Sequence, residues 1–136
     1  MRSFALNLIV FASVAVLSAS CLHAAQVDPE EISGLAAALT KVSAPVHSTV
    51  RYKNPPADIG DAALLALATA HNPSLLAAFD GYVLRARQDG PNSSVLVCKG
   101  EIALVEDAGC TGQSDWHATQ ADHPCDYVLD LATTCP

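Results

Sequence analysis

The residues whose types and spacing could do chemistry are gathered late in the chain. Asp115-Trp116-His117, then Asp122-His123, then Asp126 follow one another within a single polar stretch. Imidazole nitrogens and carboxylate oxygens in one segment are the donor set of a zinc or copper site, with His117 and His123 as nitrogen ligands. No helical His-x-x-x-His and no second histidine pair accompanies them, so metal binding stands as the alternative reading. Trp116 between Asp115 and His117 suits another use, an aromatic anchor with polar flanks at a protein-binding surface.

Catalytic chemistry finds less support. The chain has no Gly-x-Ser-x-Gly elbow, no His-Glu-x-x-His and no glycine-rich phosphate loop. Ser114, His117 and Asp122 can be written as a triad, but three polar loop residues of that kind occur in most proteins. Glu106-Asp107 could form an acid pair, although the polar end of a strand explains them equally well. Cys98, Cys110, Cys125 and Cys135 are an even set that reads as two disulfides, which leaves no thiol nucleophile. The expectation is a chain that is not an enzyme and needs no cofactor.

The setting for those disulfides is written at the N-terminus. Met1-Arg2 gives a short positive start, residues 4–17 are almost unbroken apolar sequence, and residues 18–25 are mostly small. That is the pattern of a secretory signal peptide removed near Ala25, and the apolar run is too short for a membrane span. The run Leu17-Ser18-Ala19-Ser20-Cys21 loosely resembles a bacterial lipoprotein signal, but Ser18 stands where that pattern wants an aliphatic residue. Lipid anchoring at Cys21 is therefore disfavoured. The sequence predicts a periplasmic or secreted product, residues 26–136, forming one disulfide-stabilised domain.

Charge narrows the partner. The first 25 residues hold one of the seven basic residues and none of the fourteen acidic ones, so the rest carries six against fourteen, a net charge of −8. Such a balance argues against nucleic acid and against anionic lipid, and would steer the protein toward a basic partner. Arg85 and Arg87 stand out in this acidic background, either as a small recognition patch or as the solvated side of a strand. Asn92-Ser93-Ser94 matches a glycosylation acceptor placed in a predicted turn.

Several elements must position these groups. Asp28-Pro29-Glu30-Glu31 is a helix start, and Ile32, Leu35, Ala36, Leu39 and Val42 follow at helical spacing until Pro45. Residues 46–52 alternate and predict an edge strand or an extended connector. A second helix runs from Asp58 through the Ala/Leu-rich residues 62–70. A third begins at Asn72-Pro73 and stops at Gly81, with Leu75, Leu76 and Phe79 inward. The period then changes to two: strands over 82–87, 95–98 and 102–105 form an antiparallel meander. After Cys110 the chain is polar and turn-rich, and residues 126–131 alternate as a last strand or a helix. The fold class is α+β, N-terminal helices packed on a small antiparallel sheet.

Cys125 and Cys135 are too far apart to pair if the segment between them is a strand or a helix. The remaining connectivities are nested, Cys98–Cys135 with Cys110–Cys125, or interleaved, Cys98–Cys125 with Cys110–Cys135. The closed polar loop favours the nested form. The functional expectation is a small exported protein-binding domain of the inhibitor, immunity or envelope-accessory kind. Its surface would be the 111–124 segment, with Asp115, Trp116, His117, Asp122 and His123 as contact residues.

Overall fold

The computed structural model describes residues 27–116 and 123–136. Helix α1 spans Pro29–Lys53; the Asp28 carboxylate caps it by accepting the Glu30 amide at 3.0 Å, and Glu30 and Glu31 sit at its positive end. The helix does not stop at Pro45 but continues to Lys53, so residues 46–52 are neither strand nor connector. Val42, Ser43, Val46, Thr49 and Val50 are all buried along it. That burial outweighs the roughly 3 kcal/mol cost of an internal proline, a tertiary effect that local sequence cannot display. Asn54, left-handed at φ 46°, ends the helix.

Helix α2 spans Asp61–Ala68 and buries Leu64 and Leu65, while Ala62, Ala63, Ala66 and Leu67 stay exposed. The third predicted helix is a 3-10 helix over Pro73–Phe79, with Phe79 buried and Leu75 and Leu76 half-buried. Asn72 does not cap it; its side-chain oxygen instead accepts the Ser74 hydroxyl at 2.6 Å. Gly81, at φ 82°, supplies the left-handed turn into the sheet.

Four strands follow in chain order, β1 (Val83–Asp89), β2 (Asn92–Lys99), β3 (Ile102–Ala108) and β4 (Gln113–Trp116), each antiparallel to the next. The predicted meander is present, lengthened at both hairpins and extended by β4, where a polar loop was expected. Between Ala103, opposite Cys98, and Val105, opposite Val97, Leu104 has no partner of its own on β2. This bulge turns Leu104 into the helix-side core.

One face of the sheet packs on the helices. Leu35, Leu39, Val42 and Val46 of α1 meet Val95, Val97 and Val105, with Leu64 and Phe79 closing the sides. Removing a fully buried side chain such as Leu39 would cost about 2–5 kcal/mol. The other face is covered by residues 123–136, which we call the strap. The outcome is the α+β architecture expected, with both faces of the sheet occupied. Among the described residues no helix is long and apolar enough to cross a membrane.

Candidate functional site

The strap is fixed to the sheet at both ends. Cys98 bonds to Cys125 and Cys110 to Cys135, each pair with Cα atoms 5.7 Å apart. The pairing is interleaved, which overturns the preference for the nested form. The reason is where the chain returns to the sheet. Pro124 bridges Ile102, the Ala103 amide donates to the His123 carbonyl at 3.0 Å, and the Cys125 amide donates to the Glu101 carbonyl at 2.7 Å. Cys125 therefore lands at the start of β3, beside Cys98, while Cys110 lies beyond its far end. The strap then crosses the face and delivers Cys135 to Cys110.

Within the strap Tyr127, Leu129 and Leu131 do turn inward, and Asp126, Val128 and Asp130 outward. The predicted alternation is real, yet the segment is not a strand. It crosses the sheet's face instead of joining its edge, and only Leu131–Thr134 forms a turn of helix, α3, capped by Asp130. Its backbone is satisfied by side chains. The Glu106 carboxylate accepts the Val128 amide at 2.7 Å and the Leu129 amide at 3.1 Å. Arg87 donates to the Leu129 carbonyl, and Arg85 donates to the Cys125 carbonyl at 2.8 Å. The Asn92 amide reaches the Leu131 and Cys135 carbonyls at 3.5 and 3.3 Å.

Arg85 and Arg87 are thus neither a free recognition patch nor a solvated sheet face. Their guanidinium carbons lie 5.0 and 4.5 Å from the Tyr127 ring centroid, a double cation–π contact beneath the strap. Arg85 also pairs with Asp61 of α2 at 3.1 Å, and Arg87 with Glu106 at 3.4 Å. Burial, joined by the charge of Asp61, pushes the Tyr127 phenol well above its ordinary range. Asn92 is a half-buried strand residue whose amide is engaged, and Ser94 of its acceptor motif is fully buried, so the motif is not in an open turn.

Glu106 and Asp107 are not an acid pair. Strand alternation sends them to opposite faces, both fully buried. Asp107 faces α1, where its Oδ2 accepts the Ser43 hydroxyl at 2.8 Å and its Oδ1 makes no hydrogen bond among the described residues. Burial raises its pKa, and the Ser43 and Thr40 hydroxyls offset part of that rise. Thr40 meets Ser114 of β4 at 3.0 Å, and Ser114 donates to the Ala36 carbonyl at 2.9 Å. Ser114 is therefore committed to holding β4 against α1. The same approach requires Gly109, because a Cβ there would stand 2.4 Å from the Ser43 carbonyl oxygen and 2.6 Å from His47 Cβ.

The residues predicted for binding are distributed as follows. Asp115 and Trp116 end β4, their backbones opposite Glu106 and Val105. His117 and Asp122 lie outside the described residues. His123 is half-buried, and its Nδ1 lies 2.8 Å from the Pro124 carbonyl oxygen. Among the described residues no three His, Cys, Asp or Glu side chains converge on one point. What the sequence does not reveal is the assembly of Arg85, Arg87, Glu106 and Tyr127. Its members come from three separate segments, and no local spacing relates them.

Comparison with protein-family models, with curated proteins and with solved structures finds no match for the chain.

Proposed function

We propose that this protein is a small exported, non-catalytic protein-binding domain of the inhibitor, immunity or envelope-accessory kind, and that residues 111–124 carry its contact surface. One observation supports the reading above the others. Pairing with β3 runs as far as Trp116 opposite Val105 and resumes at Pro124 opposite Ile102. The flanking Cys110 and Cys125 are both cross-linked. A segment whose ends are fixed to one strand loses less entropy on binding than a free one, which is the usual way a rigid scaffold presents recognition residues.

Location and partner follow from the same features. Two disulfides belong in an oxidising compartment, and the N-terminal sequence pattern supports export by a signal peptide. From residue 100 to the C-terminus there is no Lys or Arg, against seven Asp and Glu. A basic partner surface is the natural complement.

The test is a pull-down of envelope or secretion partners with the disulfide-intact protein lacking its first 25 residues, beside a variant carrying Trp116→Ala and His117→Ala. A stoichiometric, salt-sensitive partner lost in the variant supports the reading. Absence of any partner for the wild-type protein overturns it, and titration of the protein with zinc and copper would then address His117 and His123.

A further inference from the structure

We propose that the two disulfides have different duties: Cys98–Cys125, whose Cys98 is fully buried and Cys125 half-buried, is a structural cross-link, and Cys110–Cys135 is a reductant-accessible latch that frees the end of the strap. The inference does not depend on the binding reading. It rests on how deeply each cysteine is buried. Cys98 is fully buried in β2, under the strap, among Leu96, Ala103 and Tyr127, and its partner Cys125 is half-buried, so neither cysteine of that bridge is exposed. Cys110 is exposed in the turn between β3 and β4, and joins a Cys135 that is 9% exposed. Thiol–disulfide exchange requires a thiolate to approach one sulfur along the S–S axis, so access decides which bond reacts first.

The strap's other holds divide in the same way. Residues 125–129 are held by Arg85, Arg87 and Glu106, independently of the second disulfide. Residues 131–135 are held by the latch, by the weak Asn92 contacts at 3.3–3.5 Å and by the small cluster of Leu131 with Ala108. Opening the latch therefore leaves the near half docked and loosens α3 with the C-terminus. A cleft lined by Thr111, Gln113, Ser114, Leu129 and Thr134, beside β4, loses one wall when that happens.

The reductant is a dithiol. Its thiolate attacks Cys110 Sγ as the Cys110–Cys135 bond breaks, and Cys135 departs as a thiolate that takes a proton. The second thiol, deprotonated, then displaces Cys110, which also gains a proton. Two electrons pass to the protein and the dithiol becomes a disulfide.

The experiment is graded reduction of the oxidised protein with dithiothreitol, quenched by alkylation and mapped by peptide mass. Cys110 and Cys135 should be labelled about tenfold or more faster than Cys98 and Cys125. Simultaneous labelling of all four, or Cys98 and Cys125 first, overturns the proposal. A variant carrying Cys110→Ser and Cys135→Ser supplies the conformational arm. Amide exchange should rise at 131–135 and stay protected at 128–129; unchanged protection throughout, or loss throughout, also overturns it.

Discussion

Arg87 on β1 and Glu106 on β3, with Nη2 and Oε1 3.4 Å apart, grip the backbone of Val128 and Leu129 in the strap between them: Arg87 bonds the Leu129 carbonyl while Glu106 takes the amides of Val128 and Leu129. A fully buried carboxylate is tolerable there because it meets a guanidinium and two N–H donors. The pair gives the irregular strap the hydrogen bonds that a strand would have drawn from a neighbour.

Removing that carboxylate should be costly. Glu106→Ala leaves two strap amides and Arg87 without their acceptor, for a loss of about 3–5 kcal/mol; Glu106→Gln, which still accepts, should lose about 1–3 kcal/mol. Urea unfolding reads both values. A loss below about 1 kcal/mol for the alanine variant would show that the strap is held by its disulfides alone.

Asp107 should make the protein less stable as the pH rises. Its folded pKa is raised above the ordinary 3.8 by burial, so the folded chain holds the proton more tightly than the unfolded one. Stability is then full below about 3.8 and declines as pH climbs through the folded value. Asp107→Asn should raise the urea midpoint at pH 7, with the advantage shrinking toward pH 4. A variant less stable than wild type at pH 7, or one with a pH-independent gap, contradicts this account.

Glu31 should act in the opposite sense. The Tyr82 hydroxyl, then Lys99 with its ammonium 3.0 Å away, hold its carboxyl below the ordinary 4.5. The stabilisation from this tie between α1 and the β-hairpins is present above 4.5 and disappears as pH falls through the folded value. Glu31→Gln should lower the urea midpoint at pH 7, by less at high salt, and match wild type in acid. Equal midpoints at pH 7 and low salt would show the tie to be idle.

The two disulfides should differ in stability as well as reactivity. They close loops of similar length, with sequence separations of 27 and 25, so the chain-entropy contribution is about 3–4 kcal/mol for either. Paired alanine replacement of Cys98 and Cys125 should cost more than that of Cys110 and Cys135, because the first also empties a fully buried site. Equal costs would mean that the Cys98 site collapses without penalty.

What the sequence determined by itself is everything governed by neighbours a few positions away. The Asp28 cap, the sheet-facing stripe of α1, the left-handed stop at Gly81 and the paired strands of the meander were all legible, because capping, periodicity and turn chemistry act locally. Even the inward turn of Tyr127, Leu129 and Leu131 could be read. Tertiary structure alone decided the rest. Pro45 stays within α1 because a sheet formed later in the chain buries both sides of that position. Glu106 and Asp107 part company because strand alternation assigns one to the strap and the other to the helix. Cys98 takes Cys125 because Pro124 returns to the start of β3. Each outcome depends on burial or hydrogen bonding between segments distant in sequence, and such partners become available only once the sheet has formed.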